Sequence, residues 1–125
     1  MQQSVSDVRK YEGVCRALKE AGRPRGAGSL LIAEGGDVRT ILSHVQTHRT
    51  DALVCCNDFA AAEMLKLLGR QGIPVPGEMA VTGFDGYSFC KYTPVSLATV
   101  VQPVTEQAQR TVALLLERIA AGDED

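Results

Sequence analysis

At 125 residues, with 45% hydrophobic and 22% charged residues, the chain has the makeup of one ordinary globular domain or of part of a larger one. A net charge of −2 leaves no basic footprint for nucleic acid, and no apolar run approaches the roughly 20 residues of a membrane span. The opening MQQSVSDVRK lacks the charged-then-apolar order of a secretory signal.

Val8, Tyr11, Cys15 and Leu18 recur at helical spacing, and AGRPRGAG stops the pattern, which predicts an amphipathic helix over 6–21. GSLLIAE is a short apolar run closed by GGD and predicts a first buried strand. A helix over 37–48 follows. DALVCC predicts a second strand, and FAAAEMLKLLGRQG its helix, with Ala61, Leu65 and Leu68 on one face and Gly72 as the stop. MAVTGF predicts the third strand, DGYSFCKYTP a loop with one helical turn, and LATVVQ the fourth strand. Pro103 then opens a last helix, where its missing N–H does no harm. Val104, Ala108, Val112, Leu115 and Ile119 are its predicted inner face, Gly122 ends it, and GDED reads as a solvated tail. Helices alternate with strands that are continuous apolar runs, as in a doubly wound parallel α/β sheet covered on both faces.

The four cysteines, Cys15, Cys55, Cys56 and Cys90, show no metal-ligand spacing. They read as small buried hydrophobes in a reducing cytoplasm, with neighbouring Cys55 and Cys56 on opposite strand faces.

In an open parallel sheet, ligands bind beyond the carboxyl ends of the strands. Asp37, Asn57–Asp58, Asp85 and Gln102 stand at those four ends. An amide both donates and accepts, whereas an ionised carboxylate only accepts, so Asn57 and Asp85 together suit neighbouring hydroxyls of a polyol or the edge of a purine. Each residue also has a structural reading. Asn57, Asp58 and Asp37 are favoured helix caps, with Asp58 the stronger candidate of the adjacent pair, Asp85 fits a turn, and Gln102 ends a strand. Their common edge is the argument for a site.

The segments ALVCCND, GIPVPGEMAVTGFDGY and VSLATVVQP, in this order and spacing, resemble the effector-binding domain of LacI/GalR-type transcription regulators, and KYEGVCRALKEAG is similar to the helix that opens its C-terminal lobe. The resemblance runs from about residue 7 to residue 119. It implies a two-lobed, periplasmic-binding-protein-like domain that closes on a sugar or nucleobase-like effector, with this chain as the C-terminal lobe and the N-terminal lobe and DNA-binding head upstream. It also implies a homodimer built on the helix after Asn57 and on the GYSFCKY loop, and an apolar edge toward the other lobe that favours self-association. By position, Asn57 and Asp85 match ligand contacts, and Gln102 matches a place near the cleft and hinge. Lys10 stands where the family usually carries an arginine, losing the planar fork that binds oxygen pairs. Val14 and Val38 replace aromatic residues, and Gly86 replaces a second aspartate.

His44 and His48 lie four apart, but with no third ligand they read as a solvated helix face, so no metal is expected. AEGGDV is not a dinucleotide fingerprint, and no nucleophile elbow is present, so neither a cofactor nor catalysis is expected. The expected function is effector sensing. Two alternatives are a solute-binding protein of a sugar transporter and a stand-alone flavodoxin-like domain.

Overall fold

The computed structural model describes residues 5–23, 26, 30–33 and 37–122. Among these residues four α-helices and three strands follow in the order α1 (Val5–Glu20), α2 (Val38–His48), β1 (Ala52–Val54), α3 (Asp58–Arg70), β2 (Ala80–Asp85), β3 (Ala98–Val101) and α4 (Val104–Ala121). A 3₁₀ turn at Ser88–Tyr92 interrupts the loop between β2 and β3. The strands lie in the order β1-β2-β3 and every pairing is parallel.

Register sorts the strand residues onto two faces. Leu53 pairs with Val81, and Gly83 with Thr99, so these four share one face. Val54 pairs with Thr82, and Phe84 with Val100, on the other. The first face is closed by α3. Ala61, Met64, Leu65 and Leu68 recur at i, i+3, i+4 and i+7, and this stripe is buried together with Met79, Val81, Leu97 and Cys90. Ile41 and Val45 of α2 complete the same core. The second face carries less cover. Lys10 of α1 reaches over the Phe84 ring, 4.4 Å from its centroid, while Val54 and Val100 stay exposed.

Three expectations are corrected here. The predicted first strand is described only at residues 30–33, which carry no strand pairing; Gly28, Ser29 and Glu34 lie outside the described residues. Leu31 and Ala33 pack on the core while Leu30 and Ile32 face out. An apolar run can thus bury alternate side chains without entering a hydrogen-bond ladder. The predicted inner face of α4 is exposed, with Val112 at 56% and Ile119 at 65%. Amphipathicity says that a helix needs a cover, not which surface supplies it. The cysteines differ among themselves: Cys90 is buried, Cys15 and Cys55 are half-buried, and Cys56 is exposed. Burial pushes the Cys55 thiol up to about 12, with a smaller contribution from Cys56 beside it.

Candidate functional site

The join between β1 and α3 is built by two adjacent residues with different tasks. Asn57 has extended backbone, and its Oδ1 accepts from the Ala60 N–H at 2.8 Å. It is therefore the cap of α3, satisfying one of the orphan donors of the first turn. Asp58, read from sequence as the stronger capping candidate, is instead the first helical residue and is fully buried. Its Oδ2 accepts from the backbone N–H of Gly86 at 2.9 Å and of Tyr87 at 2.8 Å. Its Oδ1 accepts from the Thr99 hydroxyl, and the Cys90 thiol also bonds to the carboxylate. Burial alone would raise the Asp58 carboxyl, but the bonds from Thr99, Tyr87, Cys90 and Gly86 outweigh it and hold the group below its ordinary value. The Cys90 thiol moves up, through burial first and then through its bond to Asp58.

That carboxylate sits against β2 because Gly83 has no side chain. A Cβ there would fall inside contact distance of Asp58 Oδ1 and 3.1 Å from Asp58 Cα. Just beyond, the chain turns through two successive residues of positive φ, Asp85 at 112° and Gly86 at 81°. A non-glycine residue in a sparsely populated backbone region costs on the order of 1–3 kcal/mol, and surrounding bonds must hold it. A Cβ on Gly86 would also meet Val101 Cα at 2.8 Å, so the glycine in place of the usual aspartate has a local steric cause.

Asp85 is the centre of a polar cluster. Its Oδ1 accepts from the Gln102 side-chain amide, and the Gln102 backbone N–H donates to the Asp85 carbonyl at 3.3 Å. The Lys10 ammonium lies 3.8 Å from the same Oδ1 and donates to the Cys56 carbonyl at 2.7 Å. Lys10, Asp85 and Gln102 thus meet. Asn57 adjoins them through its two neighbours, since Cys56 is bonded to Lys10 and Asp58 to the residue after Asp85. Asp37 caps α2, its side chain accepting from Thr40 N at 3.1 Å; its carboxyl is held low chiefly by its hydrogen bonds to Thr40.

Thr99, the Asp58 clamp and the clearance at Gly83 were not among the sequence-derived site residues. The signal available was a hydroxyl within the apolar LATVVQ run and the two glycines flanking Phe84–Asp85.

His44 and His48 have ring centroids 4.5 Å apart, and among the described residues no group of three or more His, Cys, Asp or Glu is placed to hold a metal ion. Phe59, Tyr87 and Phe89 form a partly exposed aromatic cluster beside the Asp58 clamp, with centroids 5.0–5.8 Å apart. Among the described residues no helix is long and apolar enough to cross a membrane.

A parallel sheet with polar residues gathered at its carboxyl edge, where open α/β sheets bind their ligands, is a feature of the periplasmic-binding-protein-like family. The sequence model of that family, the periplasmic binding protein-like domain, matches residues 7–125, and the chain belongs to it, within the LacI/GalR-type branch. An HTH-type transcriptional regulator from Streptomyces limosus, itself uncharacterised, is 34% identical over 93% of this chain and 34% of its own length. The Escherichia coli transcriptional repressor ascG superposes with a TM-score of 0.77 at 28% identity, covering 96% of this chain and 45% of that one. A LacI family regulator from Arthrobacter sp. FB24, solved in complex with lactose, gives a TM-score of 0.70 at 28% identity over 89% of this chain and 41% of that one. The chain spans about a third or less of the length of the curated relatives it matches first.

Proposed function

We propose that this chain is the C-terminal lobe of the effector-binding domain of a transcription regulator, and that it takes a sugar or a related polyhydroxylated or nucleobase-like ligand. The observation that carries the reading is the Asp85 cluster. A carboxylate, an amide and an ammonium gather at the strand ends, where a second lobe can cover them. Asp85 accepts from ligand hydroxyls, Asn57 offers the amide nitrogen that capping leaves over, and Lys10 and Gln102 flank both. Groups of this kind reject analogues that lack the matching hydroxyls, since buried polar atoms would then go unpaired. An N-terminal lobe supplies the other wall, and DNA is bound by a separate head.

Effector binding moves the head only through unequal affinity for the two lobe arrangements. The regulator acts in the cytoplasm as a homodimer, through the start of α3 and the Tyr87–Tyr92 loop, and carries out no catalysis. The family relationship and the lactose-bound neighbour support this reading.

Calorimetric titration of the full-length regulator with lactose, other sugars and purines tests it. Asp85→Ala and Asn57→Ala should each weaken the ligand found by about tenfold or more, as expected for losing a hydrogen bond that involves a charged or buried group. Unchanged affinity in both variants would remove the site assignment.

A further inference from the structure

We infer that Asp58 is a positioning residue for the ligand-facing carboxylate of Asp85: without touching ligand, it sets the backbone from Asp85 to Tyr87 that aims Asp85 at Gln102 and Lys10. The inference rests on the reading of Asp85 as a ligand contact, and its test is independent of that reading.

Four observations converge on it. Asp58 is the one charged side chain among the buried residues of the described chain, and the donors its carboxylate has are neutral ones. Its bonds run to the segment after β2 and to β3 rather than into α3, whose first turn Asn57 already caps. Two of its donors are the consecutive N–H groups of Gly86 and Tyr87, and both go to the same oxygen. Successive N–H groups converge on one atom where the backbone makes a tight concave turn, and here that turn is the positive-φ backbone at Asp85 and Gly86.

The Thr99 hydroxyl closes the arrangement from β3. It donates to Asp58 Oδ1 and accepts from Gly86 N at 3.2 Å, so the carboxylate is held between two strands. A carboxylate accepts and cannot donate, which makes the direction of every bond in this set unambiguous. Gly83 supplies the room. Without a bare backbone at that point of β2, Asp58 Oδ1 could not reach Thr99. The positive-φ conformation at Asp85 is therefore held by bonds to the two backbone N–H groups that follow it.

The test is heteronuclear NMR on the chain without ligand, comparing wild type with Asp58→Ala and Thr99→Val. The signals read are the Gly86 and Tyr87 amides, the HN–Hα coupling of Asp85, which reports φ, and the Gln102 side-chain amide protons, which report the bond to Asp85. With Asp58→Ala, we expect the two backbone amides to move upfield, the Asp85 coupling to leave its positive-φ value, and the Gln102 amide to lose its hydrogen-bonded shift. The methyl resonances of Ile41, Leu65 and Leu68 should stay in place, which a merely structural loss would not allow. A folded Asp58→Ala variant with unchanged Asp85 and Gln102 signals overturns the inference. If Asp58→Ala does not fold, Thr99→Val decides. It removes one donor and leaves the charge, and the same signals should move in the same direction by less, whereas no movement overturns the inference. Because no ligand is present, either outcome stands apart from the titration of Asp85→Ala described above.

Discussion

A methyl group added at Gly83 would press on the buried Asp58 carboxylate and on its Cα, neither of which has open space to move into. Overpacking of this kind typically costs about 1–3 kcal/mol. Gly83→Ala should lower the unfolding free energy from a denaturant titration by that amount, and a value equal to wild type would show that Asp58 is not packed as described. The same close approach explains why two adjacent acidic or amide residues at one join behave so differently. Asn57 acts on its own helix, three residues on, whereas Asp58 reaches Gly86, Tyr87 and Thr99, which are 28, 29 and 41 residues away in sequence. Lys10 likewise ties α1 to the carbonyl of Cys56, 46 residues on, and is half-buried where it meets Asp85. A lysine there gives a single point charge where an arginine would give a fork, so the pair with Asp85 at 3.8 Å is a looser contact than a bidentate one.

Two of the helices stand at the extremes, α3 supplying most of the helical core residues and α4 none. On α3, Ala61 and Leu68 are completely buried and Met64, Leu65 and Leu67 nearly so. On α4, no residue is buried and Leu115 and Leu116 are more than half exposed. Leu68→Ala should therefore destabilise the chain by about 2–5 kcal/mol, the range for deleting a core leucine. Leu115→Ala should change it by no more than about 0.5 kcal/mol, as for exposed sites away from special features. Equal losses in a urea titration would mean that α4 is packed in solution. The apolar stripe of α4 is exposed along its length, and an exposed apolar stripe is one that chains usually cover.

Across the molecule, one carboxylate joins the start of α3, the end of β2 and β3, and its protonation should be felt globally. The folded state holds the Asp58 carboxyl below its ordinary value, so at falling pH the unfolded chain takes up the proton first. The stability this group contributes is complete above the unfolded value of about 3.9 and is lost as pH falls through the lower folded value. Asp37, held low by Thr40, acts in the same direction from an exposed position. Urea midpoints should then fall as pH drops below about 3.9, and Asp58→Asn should flatten that fall. An unchanged slope in Asp58→Asn would contradict the depressed value. The Asp85 cluster lies beside this join, at the carboxyl edge that all three strands share.

Legible in the sequence alone were the alternation of helices and strands from α2 onward, the parallel sheet, the edge that carries Asn57, Asp85 and Gln102, and the caps at Asp37 and Gly122, because these depend on periodicity and turn chemistry within a few residues. It could not decide that Asn57 rather than Asp58 caps α3, since both side chains suit a helix start and only the depth of Gly83 below the helix separates them. The pairing of the 30–33 segment and the cover of α4 were likewise beyond it, because an apolar pattern demands a partner surface without naming one. Tertiary structure decided these points through close approach: side chains far apart in the chain meet at Asp58, and no local spacing encodes that meeting.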